Sequence, residues 1–272
     1  MVAKDRQHGT RPRAVPAQRT KAADGSTIEG VRLSKAIAAA GLCSRRKADA
    51  YILAGLVRVD GTVEANPARR ILPGEQISVN GKNLAQAQAF SYYLLHKPVQ
   101  TVCTLRDPQG RPTVLDCLPD AARQIRLYPV GRLDYFSEGL LLLTNDGQLA
   151  QRMAHPRYHL PKTYEVLLRE KPSATALAAM REGMLLSEGE KLLPVEVELA
   201  MTRNGQYQLQ MVLRQGVNRQ IRRMCRDLNL TILRLKRVAQ GPLRLGSLPR
   251  GAARELTANE VLALKKAMES TT

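Results

Sequence analysis

The chain has 272 residues, 44% of them apolar, enough for one sizeable core and a smaller accessory domain. Its 42 Lys and Arg outnumber 24 Asp and Glu, giving a net charge of +18, so its field draws in polyanions, and nucleic acid is the natural partner. No apolar stretch reaches spanning length and no apolar run follows a basic start, so neither a membrane partner nor a leader is expected, and the reading is a soluble, cytoplasmic chain.

Residues 1–30 mix Lys4, Arg6, Arg11, Arg13, Arg19 and Lys21 with Pro, Gly, Thr and Gln and offer little to bury, which predicts a disordered basic arm. From Leu33 the pattern turns helical: Leu33, Ile37 and Ala40 share a face and Gly41 ends the helix. Ser44 is the expected cap of a second helix over about Arg45 to Ala54 that buries Ala48 and Ile52. Short strands follow at Val57–Val59, Thr62–Glu64 and Ile77–Val79, separated by the turn pairs Asp60-Gly61 and Pro73-Gly74 and closed by Asn80-Gly81. The result is a small α/β module over residues 31–81, with residues 82–89 read as a linker.

In the first turn of that second helix stand Arg45, Arg46 and Lys47, where the helix dipole disfavours cations by a few tenths of a kcal/mol each, on the order of the usual terminal effect. A helix optimised for stability alone would carry Asp or Glu there; cations beside free amides instead make a corner for phosphate. The run L-S-K-x-I-A-x-A-G-L-C-S-R-R-K-A-D followed by G-x-V-x-V-D-G resembles the S-four-type RNA-binding module named after a small-subunit ribosomal protein. The resemblance adds Lys35 to the expected RNA contacts.

A second domain is read over residues 90–272. Strands are expected at Tyr92–Leu95, Thr101–Thr104, Leu127–Val130, Leu140–Thr144, Thr163–Leu168, Val195–Leu199, Tyr207–Leu213 and Thr231–Val238. Asn145-Asp146-Gly147 leads into a helix through Met153; Asn218 is the expected cap of a helix over Arg219 to Leu228; Thr257 with Glu260 makes a capping box for a last helix through Met268. Many strands with interspersed helices indicate an α+β fold: a mixed, largely antiparallel sheet with flanking helices, preceded by the small RNA-binding domain.

Cys43, Cys103, Cys117 and Cys225 lie far apart without C-x-x-C spacing, and Pro156 and Pro161 break any helix that would align His155 with His159, so no metal site is read. Neither G-x-x-x-x-G-K-[ST] nor G-x-G-x-x-G occurs, and no nucleotide or other small-molecule cofactor is expected. Chemistry then falls to side chains. The connection Gly131 to Gly139 sits between two apolar strands and carries Arg132, Asp134 and Glu138, although in isolation Asp134 is equally a turn residue or a partner of Arg132. Between Thr202 and Arg250 eleven Lys or Arg face one acid, Asp227; Arg219, Arg222, Arg223 and Arg226 lie opposite the apolar face of their helix, which reads as a phosphate-facing surface.

These residues also carry a second resemblance. G-R-L-D-x-x-S-x-G-L-L-L-L-T-N-D-G-x-L-A-x-R-M-x-H-P, then K-T-Y-E-V, then G-x-N-R-Q-I-R-R-M and L-K-R-x-x-x-G-P-L-R-L-G, together resemble the bacterial ribosomal pseudouridine synthases, in the branch with an S-four-type module ahead of the catalytic domain. The resemblance implies isomerisation of a uridine, most similar to the large-subunit RNA enzymes, by a monomer without cofactors whose partner is ribosomal RNA. It implies Asp134 as catalytic aspartate, Arg222 as its basic partner and Tyr164 as the aromatic that stacks on the base, with Arg132, Arg219, Arg223 and Lys162 contacting RNA. Relatives usually carry Thr-Ser where this chain has Ser137-Glu138; Glu138 would either raise the pKa of Asp134 or point to solvent.

Overall fold

The computed structural model describes residues 19–21, 27–84, 88–155 and 160–269. The chain divides into two compact units, residues 1–89 and 90–272.

In the first unit the helices Leu33–Ala39 and Arg45–Leu53 bury Leu33, Ile37, Ala48 and Ile52 in one core with Val57, Val59, Ile71 and Val79. The Ser44 hydroxyl accepts from the Lys47 amide at 3.2 Å, the expected cap. An antiparallel sheet runs in the order Thr62–Val63, Val57–Val59, Ile77–Val79, Lys82–Asn83. Asp60 and Gly61, then Asn80 and Gly81, have positive φ at both positions, the backbone that two-residue hairpin turns require. Two readings change. Residues 82–83 extend the sheet and Leu84 packs on the core, so the stretch read as linker begins as structure. Within the stretch read as a disordered arm, Arg19–Lys21 pairs antiparallel with Thr27–Glu29; residues 1–18 and 22–26 lie outside the described residues.

The second unit is built on a sheet whose main path runs Glu196–Met201, Tyr207–Leu213, Lys162–Leu168, Ile232–Gln240, Glu138–Thr144, Tyr92–Lys97, Ala253–Glu255. All neighbours are antiparallel except Glu138–Thr144 with Ile232–Gln240, so the sheet is mixed and largely antiparallel. The apolar strand from Glu138 has both faces covered: Leu140 and Leu142 pack with Leu149, Met153, Leu264 and Met268, while Leu141 and Leu143 pack with Val114, Leu118 and Leu127. A third cluster joins Val166, Leu168, Leu209 and Met211 to Ile221, Met224 and Cys225 of the helix Gln220–Asp227. That last contact, together with the single parallel strand pair, sets the functional loops side by side.

Thr101–Thr104 forms no strand. Val102 instead donates to Pro112 (2.9 Å) and accepts from Val114 (3.0 Å), which folds the loop back on itself. Asn218 is not the cap of the following helix: Arg219 holds that position in the left-handed region (φ 50°, ψ 31°), its side chain making no capping bond. The helices Asp120–Arg123 and Ala174–Glu182 and the edge strand Ala253–Glu255 were not foreseen.

Candidate active site

The connection from Gly131 to Gly139 is held from beneath by Lys97, the last residue of its strand and fully buried. Its ammonium donates to the carbonyls of Pro98 (2.9 Å), Asp134 (3.1 Å) and Ser137 (2.8 Å). Three acceptors match its three protons, two of them from the loop it anchors, so a charge that burial alone would expel is solvated by backbone carbonyls. Burial pulls the Lys97 pKa down, and the nearby Cys103, Cys117, Asp134 and Glu138 oppose that pull. The remaining backbone is fixed too: Ser137 donates to the Asp134 carbonyl (3.0 Å), Gln100 to that of Tyr135 (2.7 Å), and the Cys103 sulfur meets both the amide and the carbonyl of Leu133 at 3.3 Å.

From the facing helix comes Arg222. Its Nε lies 3.6 Å from Oδ2 of Asp134, and its Nη2 donates to the Phe136 carbonyl (2.8 Å) and the Ser137 hydroxyl (3.0 Å). Burial lowers the Arg222 pKa, and the Asp134 carboxylate beside it opposes that pull. Nε has no hydrogen-bond partner at this separation, leaving a donor free to close on the carboxylate.

Glu138 does not point to solvent. Its side chain is 2% exposed and is ion-paired with Arg234 on the next strand and, at 3.8 Å, with Arg250. Arg234 ties the end of the loop to the strand Ile232–Gln240, and Arg250 ties it to the stretch ahead of the strand Ala253–Glu255. Next to it Gly139 (φ +112°) lies so close to that strand that an added Cβ would stand 2.2 Å from the Arg237 carbonyl oxygen.

Asp134, Arg222, Tyr164, Arg132, Arg219 and Lys162 line a single cavity of about 390 Å³, within the range that accepts small organic groups. Burial and the neighbouring Arg237 guanidinium lower the Lys162 pKa. Arg223 is placed differently: it is paired with Glu188 (3.2 Å) and Glu190 (2.7 Å), and Arg226 with Glu188 and Asp227, each at 2.7 Å. The all-cationic surface read from sequence is thus partly neutralised by a loop more than thirty residues away. Arg45, Arg46 and Lys47 are exposed and Lys35 half-buried, all on the first unit.

Sequence reasoning assigned no role to Lys97, or to Gln220, Arg237 and Gln240, which also line the cavity while buried. A lysine closing a wholly buried strand is the sign the sequence carries. Among the described residues no group of three or more metal-ligand side chains occurs and no helix is long and apolar enough to cross a membrane.

Residues 91–227 match the family described as RNA pseudouridylate synthase, and residues 31–77 match the S4 domain. This chain belongs to the RNA pseudouridine synthases. The synthase is 38% identical over 236 residues to "Ribosomal large subunit pseudouridine synthase B" of Bacillus subtilis (strain 168), covering 86% of this chain and 95% of that protein. It is 38% identical over 240 residues to an "Uncharacterized RNA pseudouridine synthase" of Aquifex aeolicus (strain VF5), covering 88% of this chain and 95% of the relative. A solved structure described as "Crystal structure of pseudouridylate synthase" shares 30% identity at a TM-score of 0.61, covering 86% of this chain and 99% of that one. The synthase is therefore an isomerase acting on RNA, with an S4 domain ahead of its mixed-sheet domain.

Proposed function

We propose that this synthase converts one specific uridine of large-subunit (23S) ribosomal RNA to pseudouridine, with Asp134 as the catalytic carboxylate. The observation that carries the reading is the Asp134–Arg222 pair at the wall of a cavity that Tyr164 also lines. The large-subunit assignment is supported by relatives such as the Bacillus subtilis protein named as a ribosomal large subunit synthase.

The reaction breaks the bond between the anomeric carbon and N1 of the base, leaving the electron pair on the base. The base turns, C5 joins the anomeric carbon, C5 loses a proton and N1 gains one, so no water enters the product. Glycoside hydrolysis uses two carboxylates, one to direct water; here one suffices. Asp134 serves as nucleophile at the anomeric carbon or as base toward the adjacent sugar proton, and Arg222 pairs with it and keeps it oriented. Tyr164 stacks on the everted base.

The target must leave its stack, at a cost of a few kcal/mol on the order of one base step, which phosphate contacts offset. Arg132, Arg219 and Lys162 supply these around the cavity. The module over residues 31–81, through Lys35, Arg45, Arg46 and Lys47, grips folded RNA. Arg223, which pairs with Glu188 and Glu190, adds an RNA contact from the helix that carries Arg222. The protein acts in the cytoplasm as a monomer, without cofactor, its catalytic domain spanning residues 90–272.

Pseudouridine mapping of total RNA from cells lacking the protein tests the reading. Loss of one 23S site supports it. No lost site would make the protein a binding factor in ribosome assembly, and lost transfer-RNA or small-subunit sites would move the substrate.

A further inference from the structure

The loop that carries Asp134 also carries an aromatic side chain that the catalytic geometry leaves unused. Phe136 is 62% exposed. Asp134 and Ser137 line the cavity and Phe136 does not, so its ring stands outside, beside the rim. Tyr135 meets it edge to face with ring centroids 5.0 Å apart, and the Arg111 guanidinium lies 5.9 Å from the Tyr135 ring. Arg111 is itself held by Asp107 through bonds of 2.8 and 3.0 Å.

An isolated exposed apolar side chain is ordinary and needs no function. This one differs because its backbone is immobilised. The four successive carbonyls from Asp134 to Ser137 all accept hydrogen bonds, those of Asp134 and Ser137 from Lys97, that of Tyr135 from Gln100 and that of Phe136 from Arg222. The ring is thus presented from a fixed frame, and little entropy remains to be lost when a partner binds it. Beside it stand two cations, exposed Arg132 four residues before it and Arg222, which pairs with Asp134 and donates to the Phe136 carbonyl. An apolar protein partner would have to desolvate those cations, whereas a strand of RNA brings phosphates to them and flat apolar faces to the ring.

When a uridine leaves its stack, the base next to it loses a neighbour and exposes one face. We infer that Phe136 stacks on the nucleobase flanking the target uridine and so holds the opened strand in place while the uridine occupies the cavity. This deepens the proposed function and rests on its placing the target at Asp134. Phe136 is a positioning residue, acting on substrate geometry rather than on the reacting atoms.

The test uses the full chain with the photoreactive residue p-benzoylphenylalanine at position 136, irradiated with ribosomal RNA purified from cells lacking the protein. Crosslinked nucleotides are located by reverse-transcription stops, and new pseudouridine is mapped in the same RNA after treatment with unaltered protein. The expected result is one crosslink within two nucleotides of the new pseudouridine. Crosslinks that are absent or scattered over the RNA overturn the inference. A single crosslink at an unpaired base with no pseudouridine anywhere leaves the stacking contact supported and sinks the proposed function. In single-turnover assays Phe136→Ala should lose roughly tenfold in rate, within the range expected for a lost base–aromatic stack, while Phe136→Tyr and Phe136→Trp stay within about threefold. Equal rescue by Phe136→Leu would show that bulk rather than stacking matters and would also overturn it.

Discussion

Arg222 holds Asp134 and the loop behind it at once: one nitrogen lies 3.6 Å from the carboxylate and another bonds the Phe136 carbonyl and the Ser137 hydroxyl. A guanidinium can serve both because its donors diverge from one rigid plane; an ammonium is a single point of charge. Arg222→Lys should therefore keep RNA affinity but lose roughly ten- to a hundredfold in single-turnover rate, on the scale of one or two lost charge-assisted hydrogen bonds. Asp134→Asn should abolish product while the dissociation constant for RNA moves by no more than about threefold, since phosphate contacts supply most of the binding. Product formed by the Asn variant at the original rate would end the assignment of Asp134.

Much of this site was legible in the sequence because its parts are local motifs: Asp134 lies in a short connection between apolar strands, and Arg222 on a helix whose apolar spacing is unmistakable. Tyr207–Leu213 and Val57–Val59 follow from alternation or turn signals and have the limits read from them. What was hidden depends on distant partners. Nothing in the neighbourhood of Arg223 announces Glu188 and Glu190, and nothing near Glu138 announces Arg234 and Arg250. Ala174–Glu182 escapes the sequence reading because four of its nine residues are alanine, which shows periodicity poorly, although Ser173 caps it through a bond to the Ala176 amide. The left-handed backbone at Arg219 has no sequence signal, since that conformation usually selects Gly or Asn.

Gly139 is required by the one parallel strand pair. It lies opposite Arg237, and a Cβ there would stand 2.2 Å from the Arg237 carbonyl oxygen and 2.6 Å from its nitrogen. Both are backbone atoms that cannot swing aside, and φ of +112° adds strain for any other residue. Gly139→Ala should cost at least about 3 kcal/mol, seen as a fall of roughly 10 °C in Tm or as failure to accumulate in soluble form. A melting curve within about 2 °C of the parent, for a domain of this size, would mean that the two strands separate at little cost.

Lys97 offers a different vulnerability. Replacing it by Met keeps much of the volume but leaves the Pro98 and Ser137 carbonyls without the ammonium; Asp134 retains a bond from the Ser137 amide. With unsatisfied buried acceptors costing about 1–3 kcal/mol each, and some return from no longer burying a charge, Lys97→Met should lose roughly 2–4 kcal/mol in denaturant unfolding. Activity should fall further than the residual folded fraction explains, because the same carbonyls set the position of Asp134. Unchanged unfolding midpoint and rate would show that the loop holds its shape without the lysine.

The last helix carries a pH signature of its own. Thr257 and Glu260 cap each other, the Thr257 amide donating to the carboxylate (2.9 Å) and the Glu260 amide to the hydroxyl (3.2 Å). Arg254 grips both carboxylate oxygens at 2.6 and 2.7 Å, chiefly through these bonds holding the Glu260 pKa down to about 2 from the ordinary 4.5. As pH falls through about 4.5 the unfolded chain takes up a proton that the folded chain still refuses, so unfolding is favoured progressively until the folded carboxylate titrates near 2. The stabilisation is whole above that window and gone below it. Because Arg254 is more than a third exposed, solvent screening reduces its size to about 1 kcal/mol. Glu260→Gln should therefore be less stable than the parent at pH 6 and converge with it as the pH approaches 2, measured by urea unfolding across that range. A difference that stays constant with pH would locate the effect of the substitution in the cap geometry and not in the charge.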